Sequence, residues 1–157
     1  MNELLTEITH LVKGIDPIAD AFSGTVRSDV VNMKNVGKAR FLIHCGVGAT
    51  GTSTITMEAS DDAVPTNVTA IPFKYRQVLS GDTPGALTQA TTAGFTTTAG
   101  SSKVIEVEVD ASDMASTGYG YLSLKAVEVV DSPVLGGILI ELYDLRYSRN
   151  TSTRATV

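Results

Sequence analysis

Between Gly24 and Tyr143 the chain is punctuated so often by glycine, proline, aspartate, asparagine and serine that no long helix fits, and the intervals are β-branched and alternating. The clearest is Val104 to Asp110, where Ile105, Val107 and Val109 share one side and Glu106, Glu108 and Asp110 the other. That period of two is a strand with one face on a core and one in water. The same reading predicts strands over Thr25 to Met33, Ala39 to Cys45, Ser53 to Ala59, Ile71 to Val78, Tyr121 to Val130 and Gly137 to Tyr143. Seven short strands joined by turn chemistry predict a mainly β protein, an antiparallel β-sandwich or a jelly-roll-like barrel, with a short N-terminal α-helix.

One stretch tests that reading. In FLIHCGVGATGTSTITMEAS, residues 41–60, Gly46, Gly48 and Gly51 have the G-x-G-x-x-G spacing of a dinucleotide-binding loop. That chemistry needs a helix after the glycines, with its free N–H groups aimed at a pyrophosphate. Here Thr52 to Glu58 alternates as a strand, and no acidic residue ends a second strand about 20 positions on. The glycines are therefore expected to turn a hairpin or short loop, supplying positive φ between antiparallel strands.

The helix is expected over residues 2–13. Leu4, Leu5, Ile8, Leu11 and Val12 recur at helical spacing, and Gly14 stands where a C-cap would. At about 12 residues it is marginal alone in water and must dock on something. Residues 1–20 are thus read as a docking arm, residues 21–146 as the sandwich, and residues 147–157, polar and locally basic with Arg146 at the junction and Arg149 and Arg154 beyond, as a flexible C-terminal arm. The Thr- and Gly-rich run 80–102 is expected to be a functional loop or to hide a hairpin near Gly94 to Thr98.

With 157 residues, the chain is one average domain, able to bury about two-thirds of its unfolded surface. A net charge of −5 argues against a general polyanion-binding role, so no direct nucleic-acid contact is expected. Cys45 is the single cysteine, which excludes an intrachain disulfide and a multi-cysteine zinc site. No apolar run approaches the roughly 18 residues of a membrane span, and the N-terminus has no signal-peptide pattern, so the chain reads as neither secreted nor membrane-bound.

Reactive groups are sparse. His44 and Cys45 are sequence neighbours, but adjacent strand residues face opposite ways, so they cannot act as a dyad. Glu106, Glu108 and Asp110 share a face at about 6.5 to 7 Å steps, a spacing open to a glycosidase or calcium reading. The apolar opposite face makes a solvated acidic side the better account. No catalytic, metal or cofactor residue is expected, and no enzyme. A carbohydrate-binding β-sandwich is the rival; the chain has no Trp, and Tyr119 with Tyr121 is its one candidate platform.

The runs SDVVNMKNVGKARFLIHCGVGATGTSTITMEASDD, IPFKYR and STGYGYLSLKAVEVVDSPVLGGILIELYD resemble a family of small tailed-bacteriophage virion proteins, the head decoration or capsid cement proteins. The likeness covers most of residues 20–145 and excludes the N-terminal helix and the tail after Tyr147. It implies a β-rich structural protein, made in the host cytoplasm, that binds the major capsid protein on the outer capsid surface and bridges capsomers as a homo-oligomer, a trimer before a dimer. A tail or head-completion protein of the same virion is the alternative. On this implication Leu4, Leu5, Ile8, Leu11, Val12, Arg146, Arg149 and Arg154 are the candidate capsid or subunit contacts.

Overall fold

The computed structural model describes residues 4–79, 81–146 and 155–156. In chain order its elements are α1 (Leu5–Ile8), β1 (His10–Ile18), β2 (Thr25–Arg27), β3 (Val30–Asn32), β4 (Val36–Cys45), β5 (Thr52–Ser60), β6 (Val68–Ile71), β7 (Phe73–Val78), β8 (Thr88–Ala90), β9 (Phe95–Thr96), β10 (Lys103–Asp110), a 3-10 helix (Ala111–Thr117), β11 (Tyr121–Val130), β12 (Gly136–Leu145) and β13 (Ala155–Thr156). They build two antiparallel sheets, as a β-sandwich requires. The first has the order β1-β12-β4-β10-β7-β8, and the second β13-β3-β11-β5-β6, with β2 also on β11 and β9 also on β5.

The core lies between them because most inward positions on the long strands are apolar. From the first sheet come Ala39, Phe41, Ile43, Phe73, Ile105, Val107, Val109, Ile138, Ile140 and Leu142, and from the second Val31, Ile55, Met57, Ala59, Ile71, Leu122, Leu124 and Ala126. Tyr75 stacks on Phe95 with ring centroids 3.6 Å apart, joining a strand of each sheet.

The seven expected strands are present, and the structure subdivides two of them. Ser28 breaks 25–33 into β2 and β3, its hydroxyl accepting from the Leu124 amide at 3.0 Å in place of a ladder bond. Pro72, which has no N–H to pair, is where the chain leaves β6 in the second sheet and enters β7 in the first. The run 80–102 contains no hairpin of its own. Its β8 joins the first sheet and its β9 the second, so it is a crossover between layers.

Two expectations are corrected. Helix 2–13 is only the four-residue α1, and residues 10–18 form β1, paired with β12 at the edge of the first sheet. His10 to Lys13 fits either period. The exposed edge of β12 supplies hydrogen-bond partners that a short helix cannot match, and alternation then turns Val12 inward and Leu11 outward. Residues 10–18 are accordingly part of the sandwich and not of an arm.

Gly46, Gly48 and Gly51 do not turn a hairpin, since β4 and β5 lie in different sheets, and none of the three has positive φ. They are small because the segment entering β12 presses on them. A Cβ on Gly48 would stand 3.0 Å from Val134, and one on Gly51 would run into the Ser132 carbonyl.

Beyond Arg146, residues 155–156 pair with Val30 and Val31 of β3.

Candidate interaction surface

The outer face of the first sheet carries rows of alternating charge. Register fixes the rows. Glu108 of β10 lies between Arg40 of β4 and Lys74 of β7, while Glu141 of β12 lies on the other side of Arg40. In the next row Glu106 lies between Leu42 and Arg76. Arg40 donates to Glu141 through Nε at 3.0 Å and through Nη2, and Arg76 donates to Glu106. The acidic side of β10 is therefore a stripe between two basic strands. Each carboxylate has a cation beside it across the ladder, which accounts for the three acids without a metal or a sugar.

Tyr143 extends this network. Burial chiefly, and then its hydrogen bond to Glu108, raise its phenol above the usual range, so the hydroxyl stays protonated as a donor. Beside it, α1 stands over the sheet and leaves a cleft of about 410 Å³ lined by Leu5, Ile8, Arg40, Glu141, Tyr143 and Asp144. Further along the same face is an apolar groove of about 510 Å³, formed chiefly by Leu42, Val104, Leu135 and Leu139 with Gly137 in its floor.

The sequence-predicted contact residues divide sharply. Leu4, Leu5 and Leu11 are 65%, 61% and 62% exposed, and Ile8 lines the cleft. Val12 is 7% exposed and belongs to the core. Arg146 is exposed, with its amide donating to the Asn35 carbonyl at 3.1 Å. Arg149 and Arg154 lie outside the described residues. Leu139 and Leu135 were not anticipated. Leu139 was legible in principle, because Ile138, Ile140 and Leu142 alternate inward and so place Leu139 outward.

Elsewhere the reactive groups are structural. His44 is exposed and Cys45 buried, on opposite faces of β4 as strand geometry demands. Burial pushes the Cys45 thiol up. Opposite it in register, Lys103 is only 3% exposed and donates to the Thr98 carbonyl, and burial lowers its pKa. The alternation of β10 places that lysine inward, in line with Ile105, Val107 and Val109. On the second sheet, buried Glu58 accepts from Arg27 and lies 3.4 Å from the Lys125 ammonium, while Arg27 also reaches Ser123 at 2.7 Å. Tyr119 is half-buried and packs against the core. Asp61 accepts from both nitrogens of Asn67, closing a turn, and those bonds lower its pKa. Among the described residues there is no group of three or more His, Cys, Asp or Glu that could hold a metal ion, and no helix long and apolar enough to cross a membrane.

No protein-family model matches the chain, and no curated protein matches it. Among solved structures it is similar to the SPBc2 prophage-derived protein YomS, with 13% identity and a TM-score of 0.43 over 84% of this chain and 92% of that one. A likeness this loose carries no argument about function.

Proposed function

We propose that this chain is a non-enzymatic structural protein of a tailed-phage virion that binds the major capsid protein on the outer capsid surface and bridges capsomers. The observation that carries the reading is the exposure of Leu4, Leu5 and Leu11, together with an apolar groove on the outer face of the first sheet. Exposed apolar surface at a groove of this kind marks a binding face. The resemblance of residues 20–145 to capsid decoration proteins supplies the partner.

The mechanism is linkage. A protein that binds the assembled lattice but not separated capsid subunits stabilises the lattice by its binding free energy, multiplied over many sites. No bond is made or broken. In this reading Leu4, Leu5, Ile8 and Leu11 contact capsid or sister subunit, and Arg146, with Arg149 and Arg154, faces acidic capsid surface. A homotrimer suits local threefold positions of an icosahedral shell, and is favoured over a dimer.

Co-sedimentation with empty expanded heads of the phage that encodes the chain tests this. Each exposed leucine that becomes buried is worth about 1.5–3 kcal/mol, so Leu5→Asp with Leu11→Asp should weaken attachment by at least about tenfold while leaving thermal unfolding nearly unchanged. Undiminished attachment would remove this surface from the mechanism.

A further inference from the structure

We infer that residues 4–9 are a strap over the outer face of the first sheet, closed in the structure and open in a substantial share of molecules in solution. Three independent observations converge on it. The first concerns hydrogen bonds. Among the described residues, every one made by the segment stays within it: Leu4 amide to Glu7 carboxylate at 2.8 Å, Glu7 amide to Leu4 carbonyl at 2.9 Å, and the Thr9 amide and hydroxyl to the Leu5 carbonyl at 3.0 and 2.8 Å. Nothing of this kind ties it to the sheet. Residue 10, by contrast, begins the β1 ladder to β12.

The second is packing. Leu4 and Leu5 face mainly solvent, α1 buries no residue, and the cleft under the strap shows that it is not packed flush on Arg40, Glu141 and Tyr143. The third is length. A single helical turn cannot persist on its own hydrogen bonds, because nucleation costs more than four residues return. Among the described residues, what holds the strap closed is therefore Leu5, Ile8 and Thr9 against the cleft walls.

Opening has a defined consequence. It uncovers the Arg40–Glu141 pair and Tyr143 and joins the cleft to the open outer face, so the strap sets how much of the charged row is accessible. That a virion partner uses the uncovered row rests on the proposed function; the strap itself does not.

The test is amide hydrogen exchange by NMR on the full chain, with Leu5→Ser/Ile8→Ser compared under the same conditions. Glu7 and Thr9 should exchange with protection below about tenfold, and at least about a thousandfold faster than Phe41, which lies in the middle of the first sheet between β12 and β10. The double variant should move the amide resonances of Arg40, Tyr143 and Leu145, where the closed strap rests, and keep its melting temperature within about 2 °C of the parent. Protection at Glu7 and Thr9 within tenfold of Phe41 would overturn the inference. So would unmoved resonances at Arg40, Tyr143 and Leu145, or a larger loss of melting temperature, since either would mean that the segment does not rest there or is an integral part of the fold. None of these measurements involves a shell, so failure here and failure of capsid attachment are separate results.

Discussion

Lys103 brings an ammonium group into the core beside the Cys45 thiol, with the Thr98 carbonyl as its hydrogen-bond acceptor. A buried charge with so little compensation costs stability. The pH dependence follows from the direction of the shifts. Lys103 has a folded pKa below its ordinary 10.5, so its penalty is complete at neutral pH and fades as pH rises through the folded value, and native stability climbs in the window below 10.5. Cys45 opposes this. Its folded thiol is raised, so above about pH 9.0 the unfolded chain ionises first and stability falls. Comparing Cys45→Ala with Cys45→Ala/Lys103→Met isolates the lysine. The double variant should be more stable at pH 7 by on the order of 1 kcal/mol, and urea denaturation should show that its stability no longer rises as pH approaches 10.5. An equal or lower stability would mean that the ammonium is better satisfied than its one acceptor implies. Residues such as Gly48 and Gly51 were the least legible in the sequence. Their environment is made by a segment far along the chain, Ser132 to Val134, and no local pattern reports those distances.

Strands were the most legible elements. Alternation in Val104 to Asp110 is set by burial on one face, and burial is what the structure shows there. The N-terminal element was misread because His10 to Lys13 fits either period. The choice was made by β12, whose edge pairs with residues 10–18. Gly14, expected to cap a helix, instead lies so close to Ile138 and Ile140 that a Cβ would stand 3.0 Å from each. The outer faces of the strands hold a second kind of information, the pairing of charges across rungs. On the second sheet, Glu58 of β5 is buried and relies on Arg27 of β2 and Lys125 of β11. Arg27→Met should cost about 3 kcal/mol in urea denaturation, because it leaves a buried carboxylate with Lys125 as its cation, and Arg27→Met/Glu58→Met should recover most of the loss. If the double variant is as unstable as the single, packing around the arginine stem is responsible.

At the scale of the whole molecule, the β-sandwich and its two-sheet core could be expected from punctuation and alternation alone. The interaction surface could be expected only in part. Leu4, Leu5 and Leu11 were named from their spacing, yet they are exposed for a reason the spacing did not contain, namely that residues 4–9 stand off the sheet and residue 11 points outward from β1. Leu139 and the groove around it depend on how β1, β12 and β4 are ordered, which no single segment encodes. A domain with a self-contained core and one face carrying exposed leucines is suited to be held by neighbours. In the proposed reading those neighbours are capsomers. The most direct measurement is cryo-electron microscopy of empty expanded heads of the encoding phage, with and without the purified protein. Ordered extra density on the outside of the shell at symmetry-related lattice sites, with the outer face of the first sheet turned toward the capsid, is the predicted result. Bare shells at saturating protein would contradict it.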